Sequence, residues 1–288
     1  MDVKMRRGIW ESLNDGTTPY IYSGYFLSFL YAMVVLLPLY FVFVSAFKSN
    51  NDIFGSPLAL PKVLNWENFL KAQKTAKLDR AMQISLGVTA GAEILTLVLA
   101  FPAAYAIARI RTRMARQVEL IFSLGFLIPA LAMLVPVYLT VVRAGLLYKP
   151  IALVLFYPAT KLSITIILLA SYLRGVPLEL EESAQIDGAS RLQMIWYIFF
   201  PLARPGVITV LVLNFIDFWN EYLFALVLMN SQNRTLQIAL TAIKSNARQV
   251  DYGTIAAGVI MILIPVYVVF ILFQEQIVKG IYAGSLKG

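Results

Sequence analysis

The sequence predicts an all-α integral membrane protein with six membrane-spanning helices. Hydrophobic residues make up 59% of the 288 residues and charged residues only 14%, roughly half the charged share of a soluble protein. Six apolar runs are each long enough to cross a bilayer, which takes about 20 residues. In hydrocarbon an open chain satisfies its backbone as a helix, so each run is predicted to be helical. The runs are Ile21–Phe47, Met82–Ala108, Val118–Val142, Ile151–Leu173, Pro205–Met229 and Gly253–Val278.

The whole chain, residues 1–288, is predicted to form a single transmembrane domain. Its first 20 residues are polar, and the apolar run behind them is longer than the core of a signal peptide, roughly 7–15 residues. We therefore expect the amino terminus to be retained. Neighbouring helices in a membrane can satisfy the backbone that a proline frees, so kinks are expected where prolines lie inside the runs. These prolines are Pro102, Pro129, Pro136, Pro158 and Pro265.

Composition and motifs exclude most enzyme classes. The chain has no cysteine and no histidine, which removes thiolate nucleophiles, disulfides and most zinc sites. No segment fits the phosphate-binding pattern G-x-x-x-x-G-K-[ST], so we expect no nucleotide to be held in such a loop of this chain. Neither a nucleophile–base pair nor a metal cluster can be assembled. An enzyme, a cofactor and a metal site are therefore not expected.

The net charge of +8 does not indicate nucleic acid, because the basic residues fall between apolar runs. Their counts also do not set the orientation. The amino terminus, the loops 109–117 and 174–204 and the tail hold 12 basic residues, and the opposite connections hold 11. A dense group of four arginines between Arg109 and Arg116 favours cytoplasmic termini. We therefore predict a multi-pass plasma-membrane protein with both termini in the cytoplasm.

The connection 174–204 has the features of a docking element. Pro177 suits a helix start, and three glutamates follow near the positive end of the helix dipole. Asp187-Gly188 predicts a sharp turn, and a second amphipathic stretch ends at Pro201. Two short helices along the membrane surface can dock into a groove of a soluble partner. An interfacial loop without a partner is the plainer alternative.

This connection resembles the coupling loop of binding-protein-dependent ABC importer permeases. The family pattern is E-A-A, three residues, G, nine residues, then I-x-L-P. Two positions depart from it, since Ser183 replaces an alanine and Phe200 replaces the leucine, and both changes keep a tolerable size or polarity. The spacing is intact. The matching residues are Glu182, Ala184, Gly188, Ile198 and Pro201.

Three further segments resemble the same family. The end of the second run is similar to the pattern A-A-Y-A…R, with Tyr105 and Arg109 in place. The fifth run contains the W-N-E signature of carbohydrate permeases, ending at Glu221. The tail, residues 280–288, is similar to the G-L-T-A-G-A-V-K-G tail of the maltose-type second permease subunit.

The resemblance implies a type I ABC importer permease fold in a bacterial inner membrane, with a core at about 82–278 and a cytoplasmic tail at 279–288. The implied partners are a second homologous permease, two ATPase subunits that bind ATP and Mg²⁺, and an external solute-binding protein. Closure of the ATPases would move the coupling helix, which Glu182 anchors and Gly188 turns, and the permeases would rock as rigid bodies. The implied ATPase-coupling residues are Glu182, Ser183, Ala184, Asp187, Gly188, Pro201, Ala283, Gly284, Lys287 and Gly288.

Ionisable residues inside the predicted spans mark a second candidate site. Each costs roughly 2.5–3.5 kcal/mol at a helix centre on insertion scales, so each needs a partner or a water-filled cavity. A polar stripe from Asn214 to Glu221 has the spacing of one helix face. It could contact cargo, or it could join helices at a gate with Lys161 paired to an acid, and the generic W-N-E pattern favours the gate. The candidate pathway or gate residues are Glu93, Lys161, Asn214, Asp217, Trp219, Asn220 and Glu221.

The resemblance to carbohydrate permeases implies import of a carbohydrate, with an oligosaccharide as the expected cargo. Residues 48–81 carry a net charge of +3, which together with Lys161 makes an anionic oligosaccharide a further hypothesis. One alternative is an ABC permease for another small solute. Another is a secondary transporter that uses Asp217 and Glu221 as a cation site, although this leaves the coupling loop unexplained.

Overall fold

The computed structural model describes residues 18–110, 112–125, 127–245 and 250–285, with side chains described at 22–110, 112–125, 127–243 and 250–275. Every regular element within these residues is helical. A 3-10 turn, Ala130–Met133, precedes α6, and α9 contains a π-helical turn, Met194–Phe199. The helices are α1 (Thr18–Ser45), α2 (Asn50–Gly55), α3 (Glu67–Ala76), α4 (Leu78–Arg109), α5 (Arg113–Gly125), α6 (Leu134–Arg143), α7 (Ile151–Arg174), α8 (Glu179–Ile186), α9 (Arg191–Leu202), α10 (Arg204–Asn220), α11 (Leu223–Leu228), α12 (Leu236–Ser245) and α13 (Tyr252–Ser285).

The predicted six membrane spans match the structure when two bent helix pairs each count as one span. Within the described residues α1, α4, α7 and the first 24 residues of α13 have the length and hydropathy of a span. Two helix pairs also have them when each pair counts as one span. These are α5 with α6, bent by 89°, and α9 with α10, bent by 80°. The total is six.

The third apolar run, predicted as one helix over Val118–Val142, is divided between α5 and α6. Pro129 lies at the division with an extended backbone, φ −64° and ψ 125°. Proline has no N–H for the helical ladder and disfavours helical backbone at the preceding residue. Pro102, Pro158 and Pro265, in contrast, lie inside continuous helices.

The fifth apolar run, predicted as one helix over Pro205–Met229, is also divided. Its first part, α10, has 17 residues, at the lower end of the length that crosses a bilayer. The helix ends at Asn220, and the next residue, Glu221, has an extended backbone with φ −65° and ψ 126°. A second helix, α11, follows after Tyr222.

The described residues form two compact units, one of residues 18–71 and 250–260 and the other of residues 72–245 and 261–285. In the first unit the Asn68 side-chain amide donates to the carbonyls of Ala46 and Lys48, both at 2.9 Å. The Asn50 amide donates to the carbonyl of Val250 at 2.7 Å. These bonds tie the segment after α1 to the start of α13.

The second unit contains a large apolar cluster built from α4, α7, α9 and α10. Phe101, Leu169 and Phe199 are fully buried in it. Ala184 of α8 and Ile195 of α9 are buried in the same cluster. The connection 174–204 is therefore part of the core of this unit, which fixes its position relative to α4 and α7.

Candidate functional site

The segment between α7 and α10 forms a helix, a turn and a second helix. The first helix, α8, begins after Leu178 and carries three glutamates in its first turn, where they interact favourably with the helix dipole. Gly188 follows with a φ of +78°, a conformation that glycine adopts without strain. Ser190 and Gln193 then form a reciprocal capping box at the start of α9.

One side of α8 is joined to the carboxyl end of α4. The Tyr105 hydroxyl donates to Glu181 Oε1 at 2.8 Å, and Arg109 Nη2 donates to the carbonyl of Val176 at 2.8 Å. Arg109 Nε lies 3.6 Å from Glu181 Oε2, an ion-pair distance. The Arg109 side chain is only 4% exposed and lies over the Phe199 ring, 4.8 Å from its centre. Charge and hydrogen bonding thus hold α8 and α9 against α4.

The internal contact belongs to Glu181, whereas the resemblance implied Glu182 as the anchor. Glu182 is exposed. Neighbouring residues project about 100° apart around a helix, so two consecutive carboxylates cannot both face α4. The A-A-Y-A…R segment was the sequence feature that could have predicted this contact of Glu181. A tyrosine and an arginine near a helix end need a hydrogen-bond acceptor when they are buried.

The other side of the segment is free within the part of the chain that the structure describes. Ser183 Oγ donates to the Glu179 carbonyl of its own helix at 2.8 Å, and the exposed Ile186, Leu192 and Tyr197 add apolar area. Such a mixed surface suits contact with a protein partner. The predicted coupling residues that are exposed are Glu182, Ser183, Asp187, Gly188 and Pro201.

Two groups of predicted coupling residues lie elsewhere. Ala184 is buried against the core. The tail residues Ala283 and Gly284 belong to α13, but their side chains lie outside the described residues. Lys287 and Gly288 lie outside them altogether.

An ion pair joins α7 and α10 in the candidate pathway. Lys161 Nζ lies 2.5 Å from Asp217 Oδ2, with 29% and 50% of the two side chains exposed. This is the pairing of Lys161 with an acid that the gate hypothesis requires. Asn220 is exposed one turn further along α10 and accepts from Gln237 Nε2 at 3.4 Å. A half-exposed ion pair on a membrane span must face water or protein, because lipid cannot solvate it.

The stripe predicted from Asn214 to Glu221 faces α7, but its residues differ in burial. Asn214 is buried, and its amide donates to Thr165 Oγ1 of α7 at 3.1 Å. Trp219, which is not part of this face, is also buried and stacks on Phe215 of its own helix, with ring centres 5.5 Å apart. Asn214 thus joins α10 to α7, while Asp217 is exposed.

Glu221 explains why the fifth run is broken. Its Oε1 accepts from the backbone N–H of Phe224 at 2.7 Å and its Oε2 from that of Ala225 at 3.0 Å. Oε2 also accepts from the Tyr157 hydroxyl of α7 at 2.8 Å. The carboxylate supplies the acceptors that a broken helix lacks at its start. Glu221 therefore caps the start of α11 and joins it to α7.

Glu93 is separate from these groups. It is buried in α4, and neither carboxylate oxygen has a hydrogen-bond partner among the described residues. It borders an apolar cavity of about 230 Å³ between α10 and α13, with Phe215 and Phe273 in the wall. The structure does not bring it into the Lys161–Asp217 pair.

Comparison with known proteins agrees with this architecture. Residues 96–281 match the family described as the binding-protein-dependent transport system inner membrane component. The chain is 30% identical over 264 residues to the diacetylchitobiose uptake system permease protein NgcG of Streptomyces coelicolor, covering 91% of this chain and 87% of that protein. It is 31% identical over 268 residues to the probable starch degradation products transport system permease protein AmyC of Thermoanaerobacterium thermosulfurigenes, covering 91% and 97%.

A solved structure has the same fold. It is a chain of a bacterial ABC transporter involved in alginate import, with a TM-score of 0.81 and 23% identity, covering 90% of this chain and 96% of that one. The type I importer permease fold is thereby confirmed. With the family match extending over most of the chain, the protein is a membrane transport subunit that belongs to the binding-protein-dependent transport system inner membrane component family.

Proposed function

We propose that this chain is one of two permease subunits of an ATP-driven importer for oligosaccharides in a bacterial inner membrane. The family membership supports the transport class. The names of NgcG and AmyC both refer to carbohydrate uptake or transport. The partners of this assembly are a second permease, two ATPase subunits and an external solute-binding protein. ATP and Mg²⁺ bind to the ATPase subunits.

The attachment of α8 to α4 is the observation that carries the mechanism. Glu181 and Arg109 form a buried ion pair, and Tyr105 and Val176 add hydrogen bonds around it. A force on α8 is therefore passed to α4, which is 32 residues long. Packed elements of this kind move as rigid bodies. ATPase closure that displaces α8 would tilt a whole span and change the side of the membrane to which the pathway opens.

The exposed side of α8 and α9 supplies the contact with the ATPase. Glu182, Asp187 and Ser183 offer charge and hydrogen bonding, and Ile186 offers an apolar side chain that is 85% exposed. We assign Gly188 and Pro201 to the same contact, together with the tail residues Ala283, Gly284, Lys287 and Gly288. We propose that this surface and both termini lie at the cytoplasmic side of the membrane.

The Lys161–Asp217 pair is proposed to line the pathway or its gate. The two charges neutralise each other, so Lys161 adds no net charge that would select an anionic cargo. Asn220 adds an exposed amide beside them, and hydroxyl-rich solutes bind to amide and carboxylate groups. The cargo is therefore proposed to be recognised through hydrogen bonds.

Reconstitution tests this function. The chain is co-expressed with the sister permease and the ATPase, which should copurify, and placed in liposomes with the binding protein. We expect ATP-dependent uptake of labelled diacetylchitobiose or a maltodextrin, and no uptake when the ATPase is omitted. A uronate oligosaccharide in a parallel assay tests for an anionic cargo. Concentrative uptake by this chain without an ATPase, driven by an ion gradient, would overturn the proposal in favour of a secondary transporter.

A further inference from the structure

A pocket of about 620 Å³ lies where α4 ends and α5 begins. Arg109, Arg113 and Arg116 line it, and Arg174 and Val176 close it from the start of the coupling connection. We call this space the inner arginine pocket. The function proposed above gives it no role.

Two of its arginines carry charges that the described residues leave uncompensated. Arg109 is paired with Glu181, and Arg174 with Glu119, which also lines the pocket, at 2.7 Å. Arg113 and Arg116 are exposed, and no acidic side chain within the described residues forms an ion pair with either. The pocket is therefore positive, and guanidinium groups are well suited to bidentate hydrogen bonding with a phosphate.

The helix that carries these arginines also has the features of a bilayer interface. Met114 is 72% exposed, and further along α5 Leu120 and Ile121 are 58% and 66% exposed. Apolar side chains beside a basic cluster fit acyl chains beside headgroups. An acidic protein surface would also match the arginines, but Leu120 and Ile121 belong to a helix of a candidate membrane span, where acyl chains are the expected neighbours.

We propose that the inner arginine pocket binds the phosphate of an anionic phospholipid headgroup, with Arg113 and Arg116 as the main ligands. The bound lipid bridges α5 to the segment Arg174–Leu178, which leads into α8. It stabilises the position of the coupling helix and makes transport depend on anionic lipid. Lipid binding rests on the proposed function only for the cytoplasmic location of the pocket, whereas the effect on transport rests on that function as a whole.

Lipid binding is measured on the assembled importer in detergent, without cargo or ATP. The probe is a fluorescent phosphatidylglycerol, and the variant is Arg113→Ala with Arg116→Ala. A basic residue near an anionic surface contributes roughly fivefold in affinity, so the double variant is expected to bind about 25-fold more weakly. The matched control is Arg143→Ala at the end of α6, which is expected to bind normally. An unchanged affinity in the double variant overturns the proposal.

Two further arms identify the source of the phosphate and the consequence. Inorganic phosphate that displaces the probe at equal concentration would show a soluble anion site and overturn the lipid assignment. In nanodiscs of phosphatidylcholine alone or mixed equally with phosphatidylglycerol, the wild type should hydrolyse ATP faster with the anionic lipid, and the double variant should not. If instead the double variant loses the ATPase on copurification while binding lipid normally, the pocket is a protein contact. Absence of sugar uptake in both lipids would count against the proposed function. The lipid site would still be judged by the measured lipid affinity alone.

Discussion

The Tyr105 hydroxyl meets the Glu181 carboxylate at 2.8 Å, although the two residues are 76 positions apart in the chain. The bond joins two segments whose resemblance to importer permeases was recognised separately, the A-A-Y-A…R segment and the coupling loop. This contact explains why the first segment ends in an arginine, because Arg109 is the buried cation beside Glu181. The two patterns therefore meet in one packed contact between α4 and α8.

Replacing Glu181 by alanine should uncouple the transporter. It leaves Arg109 buried without its acid, and breaking a buried ion pair costs about 3–5 kcal/mol. The connection between α8 and α4 should loosen, so ATP hydrolysis should persist while uptake per ATP falls. The ratio of the two rates in proteoliposomes measures this. Glu179→Ala, in the same helix turn, serves as the control and should retain the ratio. Equal ratios in the two variants would contradict the anchoring role of Glu181.

The effect of substituting Gly188 should depend on the backbone conformation that the new residue can adopt, rather than on its size. Its φ is +78°, and a Cβ built there meets no described atom within 4 Å. We expect Gly188→Val to lower uptake strongly because a β-branched residue resists this conformation, and Gly188→Asn to be mild because asparagine tolerates it. The left-handed backbone conformation costs a non-glycine residue about 1–2 kcal/mol. Uptake assays with both variants at matched membrane levels make the comparison. The reverse order of the two would show that side-chain size at the ATPase contact matters more.

The Lys161–Asp217 pair should show coupling in a double-mutant cycle. Lys161→Met leaves Asp217 without its cation inside a span, so it should reduce uptake and stability more than the double variant Lys161→Met with Asp217→Leu. Because both side chains are partly exposed, the coupling energy should be modest, about 1 kcal/mol in unfolding. Thermal unfolding in nanodiscs measures it. Strict additivity of the single effects would remove the pair from the gate. Normal transport by Lys161→Met would show that Lys161 is not essential.

We expect Glu221 to stabilise the fold rather than to bind the cargo. Glu221→Ala removes the acceptor of two backbone N–H groups and of the Tyr157 hydroxyl. Hydrogen bonds to charged groups contribute about 1.5–3 kcal/mol each, so a loss of several kcal/mol of stability is expected. Tyr157→Phe removes only one of these bonds and should have a smaller effect on the melting temperature. A stable Glu221→Ala protein that fails only in sugar binding would identify Glu221 as a cargo ligand.

Gly253 should be intolerant of any side chain. A Cβ at this position would lie 2.4 Å from the Lys48 carbonyl oxygen and 2.5 Å from Asn68 Nδ2. Gly253→Ala should therefore disrupt the bond between Asn68 and Lys48 and lower the melting temperature by several degrees. Gly87→Ala is the matched control, because nothing lies within 4 Å of its added Cβ. Similar melting temperatures for the two variants would contradict the close approach at Gly253.

The parts of the fold that depend on hydropathy could be predicted from the sequence. Apolar length predicts the six spans, and the spacing around Gly188 predicts the helix, turn and helix of the 174–204 connection. The breaks within the third and fifth apolar runs could not be predicted from hydropathy. Hydropathy does not register that Glu221 accepts hydrogen bonds from the backbone just beyond it, nor which of several prolines will end a helix.

The helix-face rule gave the direction of the candidate pathway residues correctly. Asn214 and Asp217 both face α7, where their partners Thr165 and Lys161 lie one turn apart. The rule does not give the burial at each level, since Asn214 is buried while Asp217 is exposed. Nor did the sequence indicate Glu181, because the pattern of the family marks the adjacent carboxylate.

The break at Glu221 also has a mechanical consequence. Its carboxylate satisfies the first N–H groups of α11, so the start of that helix depends on one side chain rather than on the carbonyls of α10. The hydroxyl of Tyr157 donates to the same carboxylate from α7. The two halves of this span are therefore held to α7 separately, α10 through Asn214 and Asp217 and α11 through Glu221.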